Sequence, residues 1–114
     1  MIRAAFIVDK AKGTLTMSVR GHSGLGTRGR DLVCAGASTL AYTAAQNIDF
    51  MAKAGQLDGE PKIIIHEGHM KVQCKPKPEH YAEALHTFFV VQAGMLLLAK
   101  NFPKNIELKP FETA

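Results

Sequence analysis

Two side chains near the start of the chain have the types that acyl transfer needs: Cys34 as a nucleophile and His22 as its base. The segment that joins them reads GHSGLGTRGRDLVC. Gly21, Gly24, Gly26 and Gly29 fall close together in it, a costly density of conformational freedom. A strand-to-helix connection ordinarily takes about three to six residues, so this longer one suits binding or movement. Asp31 is a good helix N-cap, which places Cys34 in the first helical turn. Backbone N–H groups and the positive end of the helix dipole favour a thiolate there. The N–H groups of Cys34 and its neighbours are candidates for an oxyanion hole. His22 ends the preceding strand, and in a two-layer fold a strand end can neighbour the start of the next helix. By type alone, a cysteine at a helix start is more often a packed small hydrophobe, and a loop histidine a surface residue. The over-long glycine-rich loop that both border is what singles them out.

The elements that must hold this pair follow from hydrophobic periodicity. Residues 2–8 are rich in Ile, Val and Phe, and a turn around Gly13 leads to Leu15, Met17 and Val19 alternating with polar residues, a hairpin. After the glycine loop, Val33, Ala37, Leu40, Ala44, Ile48 and Met51 recur at steps of three and four, the stripe of an amphipathic helix closed near Gly55. Residues 63–65 and the alternating Met70, Val72 and Cys74 predict a second hairpin around Gly68. Pro78 suits the first position of a second helix that runs to about Lys100, and Ile106 and Leu108 suggest a short last strand. The order ββαββαβ predicts an α+β two-layer sandwich, a mostly antiparallel sheet with both helices on one face, in a single domain over residues 1–114. The second helix is apolar nearly all round between residues 88 and 99, which predicts deep burial or, with more weight, a dimer face.

A net charge of +4, with 46% hydrophobic and 21% charged residues, is ordinary for a soluble globular protein. Cys34 and Cys74 have no paired spacing, and no signal peptide opens the chain, so a reducing cytoplasm is expected; Cys74 reads as a buried thiol. The apolar run at 88–99 contains Gln92 and reads as too short to span a membrane. His66, His69, His80 and His86 lack zinc-motif spacing and read as solvated, so no metal is expected. The string Gly24-Leu25-Gly26-Thr27-Arg28-Gly29 spells a dinucleotide fingerprint, but the strand before it alternates, and no acid ends a second strand at the required distance. A non-catalytic ribosome- or RNA-binding module using Arg20, Arg28 and Arg30 is the alternative function. Direct nucleic-acid binding is disfavoured, because the chain has no Trp, and Tyr42 and Tyr81 fall in helices.

Gly21-His22 followed by Gly29-Arg30-Asp31-Leu32-Val33-Cys34-Ala35-Gly36-Ala37-Ser38 resembles the signature of the ribosomal-processing cysteine protease family. The resemblance implies a homodimeric endopeptidase without cofactor or metal. Its partner would be a ribosomal protein precursor: the enzyme removes the short N-terminal extension of one large-subunit protein during ribosome assembly. It assigns Cys34 as nucleophile and His22 as general base and acid. Asp31 and Ser38 have supporting roles. Asp31 is favoured as a cap over an orienter of His22, and Ser38 is read equally as a site or a packing residue. Residues 23–30, with Ser23, Gly24, Gly26 and Gly29, and with Gly21 just before them, would form the loop that orders over the substrate peptide. Family members cut after aromatic residues, which implies an apolar subsite.

Overall fold

The computed structural model describes residues 1–26 and 31–113. The elements are β1 (Ile2–Asp9), β2 (Thr14–Arg20), α1 (Leu32–Lys53), β3 (Lys62–His66), β4 (His69–Cys74), α2 (Tyr81–Asn101) and β5 (Ile106–Thr113). The strands form one sheet in the order β3-β4-β2-β1-β5. Among the described residues the β1–β5 pair alone is parallel; β1–β2 and β3–β4 are antiparallel, as the two predicted hairpins require, and so is β2–β4. The expected α+β architecture with its ββαββαβ order is therefore present.

Strand alternation sends one set of side chains into a common core. Ile2, Ala4 and Phe6 of β1, Leu15, Met17 and Val19 of β2, and Met70, Val72 and Cys74 of β4 are all buried. From α1 the same core takes Val33, Ala37, Ala41, Ala44, Ile48 and Met51; from α2 it takes Ala84, Phe88, Val91 and Met95. Small residues on both helices, Gly36 of α1 and Gly94 of α2, let them approach closely. A Cβ on Gly94 would lie 2.5 Å from Leu40 Cδ2, and one on Gly36 would lie 3.3 Å from Leu98 Cδ2. These contacts fix the start of α1, and with it Cys34, against the rest of the fold.

Three local features differ from the sequence expectations. Pro78 opens a 3-10 turn, Pro78–His80, and the α-helix starts only at Tyr81. The His80 N–H reaches back to the Lys77 carbonyl at 2.9 Å, the tighter turn that often precedes a helix. The last strand is longer than Ile106 and Leu108 suggested and runs through Pro110. An edge position tolerates a proline, and the β1–β5 register shifts between Ala5 and Ile7. Finally, the segment Pro78–Asn101, with a mean hydropathy of 1.5, is long and apolar enough to cross a membrane by length and composition. Its apolar character serves the core along one face. Gln92, which seemed to interrupt the run, accepts the Phe111 N–H at 2.7 Å and ties α2 to β5. Its opposite face is open: Phe89, Val90, Leu96 and Leu97 are all exposed, Leu97 at 62%.

Candidate active site

The loop and the start of α1 are joined by a small buried hydrogen-bond network. Asp31 has extended backbone geometry (φ −85°, ψ 106°) and caps α1, its Oδ1 accepting the Cys34 N–H at 3.0 Å. The Ser23 hydroxyl donates to Asp31 Oδ2. Both side chains are buried, Ser23 at 3% exposure and Asp31 at 8%. The Ser23 hydroxyl and then the Cys34 N–H hold the Asp31 carboxyl down from its usual 3.8 to about 2, against the upward push of burial. Ser23 also receives the Leu25 N–H on its oxygen at 3.1 Å, and its carbonyl accepts from Asn105 Nδ2 at 2.9 Å. The remaining polar group of Ser23, its N–H, points at the Cys34 sulfur, 3.3 Å away. The loop is thereby tied directly to the thiol.

His22 is placed by two glycines. At Gly21 (φ +95°) a Cβ would sit 2.3 Å from the Met1 carbonyl oxygen, so only glycine lets the start of the chain pass the end of β2. The Met1 amino group then donates to the His22 carbonyl, and the Gly21 N–H donates to the Gly68 carbonyl at 2.9 Å. At Gly68 (φ +75°), in the β3–β4 turn, a Cβ would lie 2.9 Å from His22 Nε2. The imidazole therefore rests on that turn.

His22 and Cys34 line one open cavity of about 760 Å³. Among the described residues the sulfur takes its hydrogen bond from Ser23, and none joins the imidazole to the thiol. Ser38 lines the cavity, as do Gly21, Gly24 and Gly26; Gly29 lies outside the described residues. The Cys34 N–H, an oxyanion candidate by position, is engaged by Asp31, and the Ala35 N–H by the Asp31 carbonyl at 2.9 Å. Neither is free to receive an oxyanion as the helix stands.

Sequence reasoning missed two participants, Asn105 and His69, and it placed a third, Ser23, in the substrate loop without its bonds to Asp31 and Cys34. Asn105 carries no local signal; only the fold brings it from the far end of the chain to Ser23. Ser23 looks like any polar loop residue until its Asp31 partner is known. His69 read as solvated, but it lines the cavity with a fully buried Nε2 that has no hydrogen-bond partner among the described residues. Burial of the ring lowers its pKa below the usual 6.5, helped by the charges of Arg20, His66 and Lys71. The β4 register opposite β2, which pairs Arg20 with His69, sets this position, and strand alternation alone does not reveal it. Cys74 is 2% exposed, and burial pushes its thiol up to about 12, so it belongs to the core. The dinucleotide reading fails on topology, because β2 is antiparallel to both of its neighbours.

Solved structures share this fold over nearly the whole chain. The ribosomal processing protease Prp of Staphylococcus aureus, in complex with a covalently linked product peptide, superposes with a TM-score of 0.74 at 23% identity, over 96% of this chain and 99% of that one. The same enzyme in complex with a substrate peptide gives 0.68 at 22% identity, over 96% and 99% of the two chains. SMU.848 from Streptococcus mutans gives 0.69 at 27% identity, over 100% of this chain and 96% of that one. No curated protein sequence matches the chain. The family model of cysteine protease Prp matches residues 1–107, which include both His22 and Cys34. The chain thus belongs to the Prp family of cysteine proteases and is a cysteine peptidase.

Proposed function

We propose that this peptidase removes the short N-terminal extension of a large-subunit ribosomal protein during ribosome assembly in the cytoplasm, with Cys34 as nucleophile and His22 as general base and acid. The observation that carries the reading is the Cys34 sulfur at the start of α1, opening into the same cavity as the His22 imidazole. The ribosomal substrate rests on the similarity to the S. aureus processing protease, whose structures hold substrate and product peptides.

His22 takes the thiol proton and Cys34 Sγ attacks the scissile carbonyl. The C–N bond breaks as His22 returns the proton to the leaving amine, leaving an acyl-enzyme. Water, activated by His22, releases the new carboxylate and regenerates the thiol. The imidazole and thiol close to bonding distance when peptide fills the cavity, as catalytic contacts often do. Asp31 acts as cap and as the anchor of Ser23, and Ser38, one turn beyond Cys34, shapes the cavity wall. The exposed face of α2 supports a homodimer.

The test is incubation with a peptide that spans the extension and its junction in the host's own ribosomal protein. Wild type should cut it at one position, and Cys34→Ala and His22→Ala should not. Equal turnover by the Cys34→Ala protein would end the reading.

A further inference from the structure

A second concavity of about 800 Å³ lies between α1 and β3, lined by Tyr42, Phe50, Ile63 and Ile65 among others. It is continuous with the catalytic cavity, because Tyr42 and Ile65 line both. Its apolar walls are left open: Tyr42 is 51% exposed, Phe50 61% and Ile65 42%. Resting on the peptidase reading above, we propose that this groove is the extended substrate-binding subsite. In it the peptide flanking the scissile bond lies as a strand along the free edge of β3 and sets its apolar side chains against Tyr42, Phe50 and Ile65.

Three relationships carry this assignment. First, among the described residues β3 is the terminal strand of the sheet and pairs only with β4. Its other edge presents unpaired backbone groups, which an extended peptide can satisfy. Second, Ile63 and Ile65 share the strand face that carries Val72 and Met70 of β4, the face turned toward the helices. The same alternation on a bound strand would give every second substrate side chain to the groove. Third, Cys34, Ser38 and Tyr42 succeed one another at four-residue steps along α1, and Phe50, eight residues further on, lines the far end of the groove. From Cys34 to Phe50 that is about 24 Å at ~1.5 Å per residue. An extended peptide covers such a distance with about seven residues. The groove thus has the direction, the length and the hydrogen-bonding edge to read a short apolar stretch, and it starts at the nucleophile.

The test separates this subsite from the peptidase reading by measuring binding without cleavage. The Cys34→Ala protein is titrated with a fluorescein-labelled peptide of about ten residues spanning the ribosomal extension and its junction. N-methylating alternate backbone amides in one register should weaken binding ~10-fold or more, and methylating the intervening amides should not. Phe50→Ser in the same background should weaken it ~5-fold or more, since it removes an apolar wall from an exposed site. A three-residue peptide around the junction should be turned over by wild type with a much higher KM than the long peptide. Equal affinities for both methylation registers, together with no effect of Phe50→Ser, overturn the subsite. Turnover of the short peptide in that case leaves the peptidase reading standing, whereas no turnover of either peptide removes it too. If Phe50→Ser halves the sedimenting mass and leaves peptide affinity unchanged, the groove is a contact between copies and the subsite falls.

Discussion

The Ser23 backbone N–H donates to the Cys34 sulfur across 3.3 Å, so the loop preceding the helix is fastened to the nucleophile by its main chain. Its direction is set by the attachments of Ser23 to residues beyond the loop, the hydroxyl to Asp31 and the carbonyl to Asn105. Ser23→Ala leaves the Asp31 carboxylate buried with one donor fewer. The expected cost is ~1.5–3 kcal/mol of stability, the range for hydrogen bonds to charged groups. Asn105→Ala should cost ~1 kcal/mol and lower kcat with KM little changed. Urea unfolding and steady-state kinetics on the extension peptide check both. Unchanged kcat in both variants would show that the thiol does not depend on this tether.

Asp31 gives the site a defined response to acid. Its folded pKa lies at about 2, below the usual 3.8, so the folded state binds its proton less tightly than the unfolded chain does. The stability this carboxylate contributes is fully present above about pH 4 and is lost as pH falls toward 2. Asp31→Asn, which keeps a capping oxygen, should flatten that acid limb while retaining most of the helix start. Asp31→Ala should cost ~1.5–3 kcal/mol at neutral pH, because it removes the acceptor of both the Ser23 hydroxyl and the Cys34 N–H. Thermal unfolding of the three proteins between pH 2 and 7 distinguishes these outcomes. Parallel acid limbs for wild type and Asp31→Asn would exclude this residue as the source.

The two cysteines should behave oppositely toward alkylation. Cys34 opens into the cavity, whereas Cys74 is buried at 2% exposure with its thiol pushed up to about 12 by desolvation. Iodoacetamide under native conditions should add one group, on Cys34, with the second appearing only after denaturation. The buried thiol also predicts an alkaline limb. Because its folded pKa is raised, the stability tied to its neutral form is present below about pH 9 and lost as pH rises toward 12. Cys74→Ala removes that limb. Peptide mapping by mass spectrometry and alkaline urea titrations are the measurements.

Much of this arrangement was legible in the amino-acid sequence because it depends on local rules. The cap at Asp31 follows from an acid placed before an apolar stripe, and both hairpins follow from short apolar segments joined through turns at Gly13 and Gly68 to the alternating strands β2 and β4. What was hidden depends on contacts between distant segments. Asn105 meets Ser23 only because β5 lies parallel to β1 at the edge of the sheet. The buried nitrogen of His69 reflects sheet register, and the role of Gln92 is visible only once β5 supplies the Phe111 N–H. Occupation of the Cys34 N–H by its own cap was open to inference, since a carboxylate three residues before a helical N–H is its natural acceptor.

The open face of α2 gives a prediction about assembly. Phe89 with Leu96, and Val90 with Leu97, repeat at a spacing of two helical turns and are all exposed. Leu97→Glu should disrupt a homodimer formed through this face and shift the sedimenting species to the monomer. The folded monomer should keep its stability within ~0.5 kcal/mol, since the position is largely solvated within one subunit. A Leu97→Glu protein that still sediments as a dimer would place the contact elsewhere.

Gly68 tests whether the resting place of His22 matters for turnover. A methyl group there would sit 2.9 Å from Nε2, so Gly68→Ala must push the imidazole off the β3–β4 turn. The positive φ of +75° adds a backbone cost of ~1–2 kcal/mol for any L-residue. Gly59→Ala is the matched control: its φ is +91°, and nothing lies within 4 Å of the added carbon. Both variants should lose similar stability in urea unfolding. Only Gly68→Ala should change turnover, and its kcat should fall ~10-fold or more if the displaced ring no longer reaches the thiol when peptide binds. Equal kcat values for the two variants would mean that the imidazole finds its catalytic position without the support of this turn.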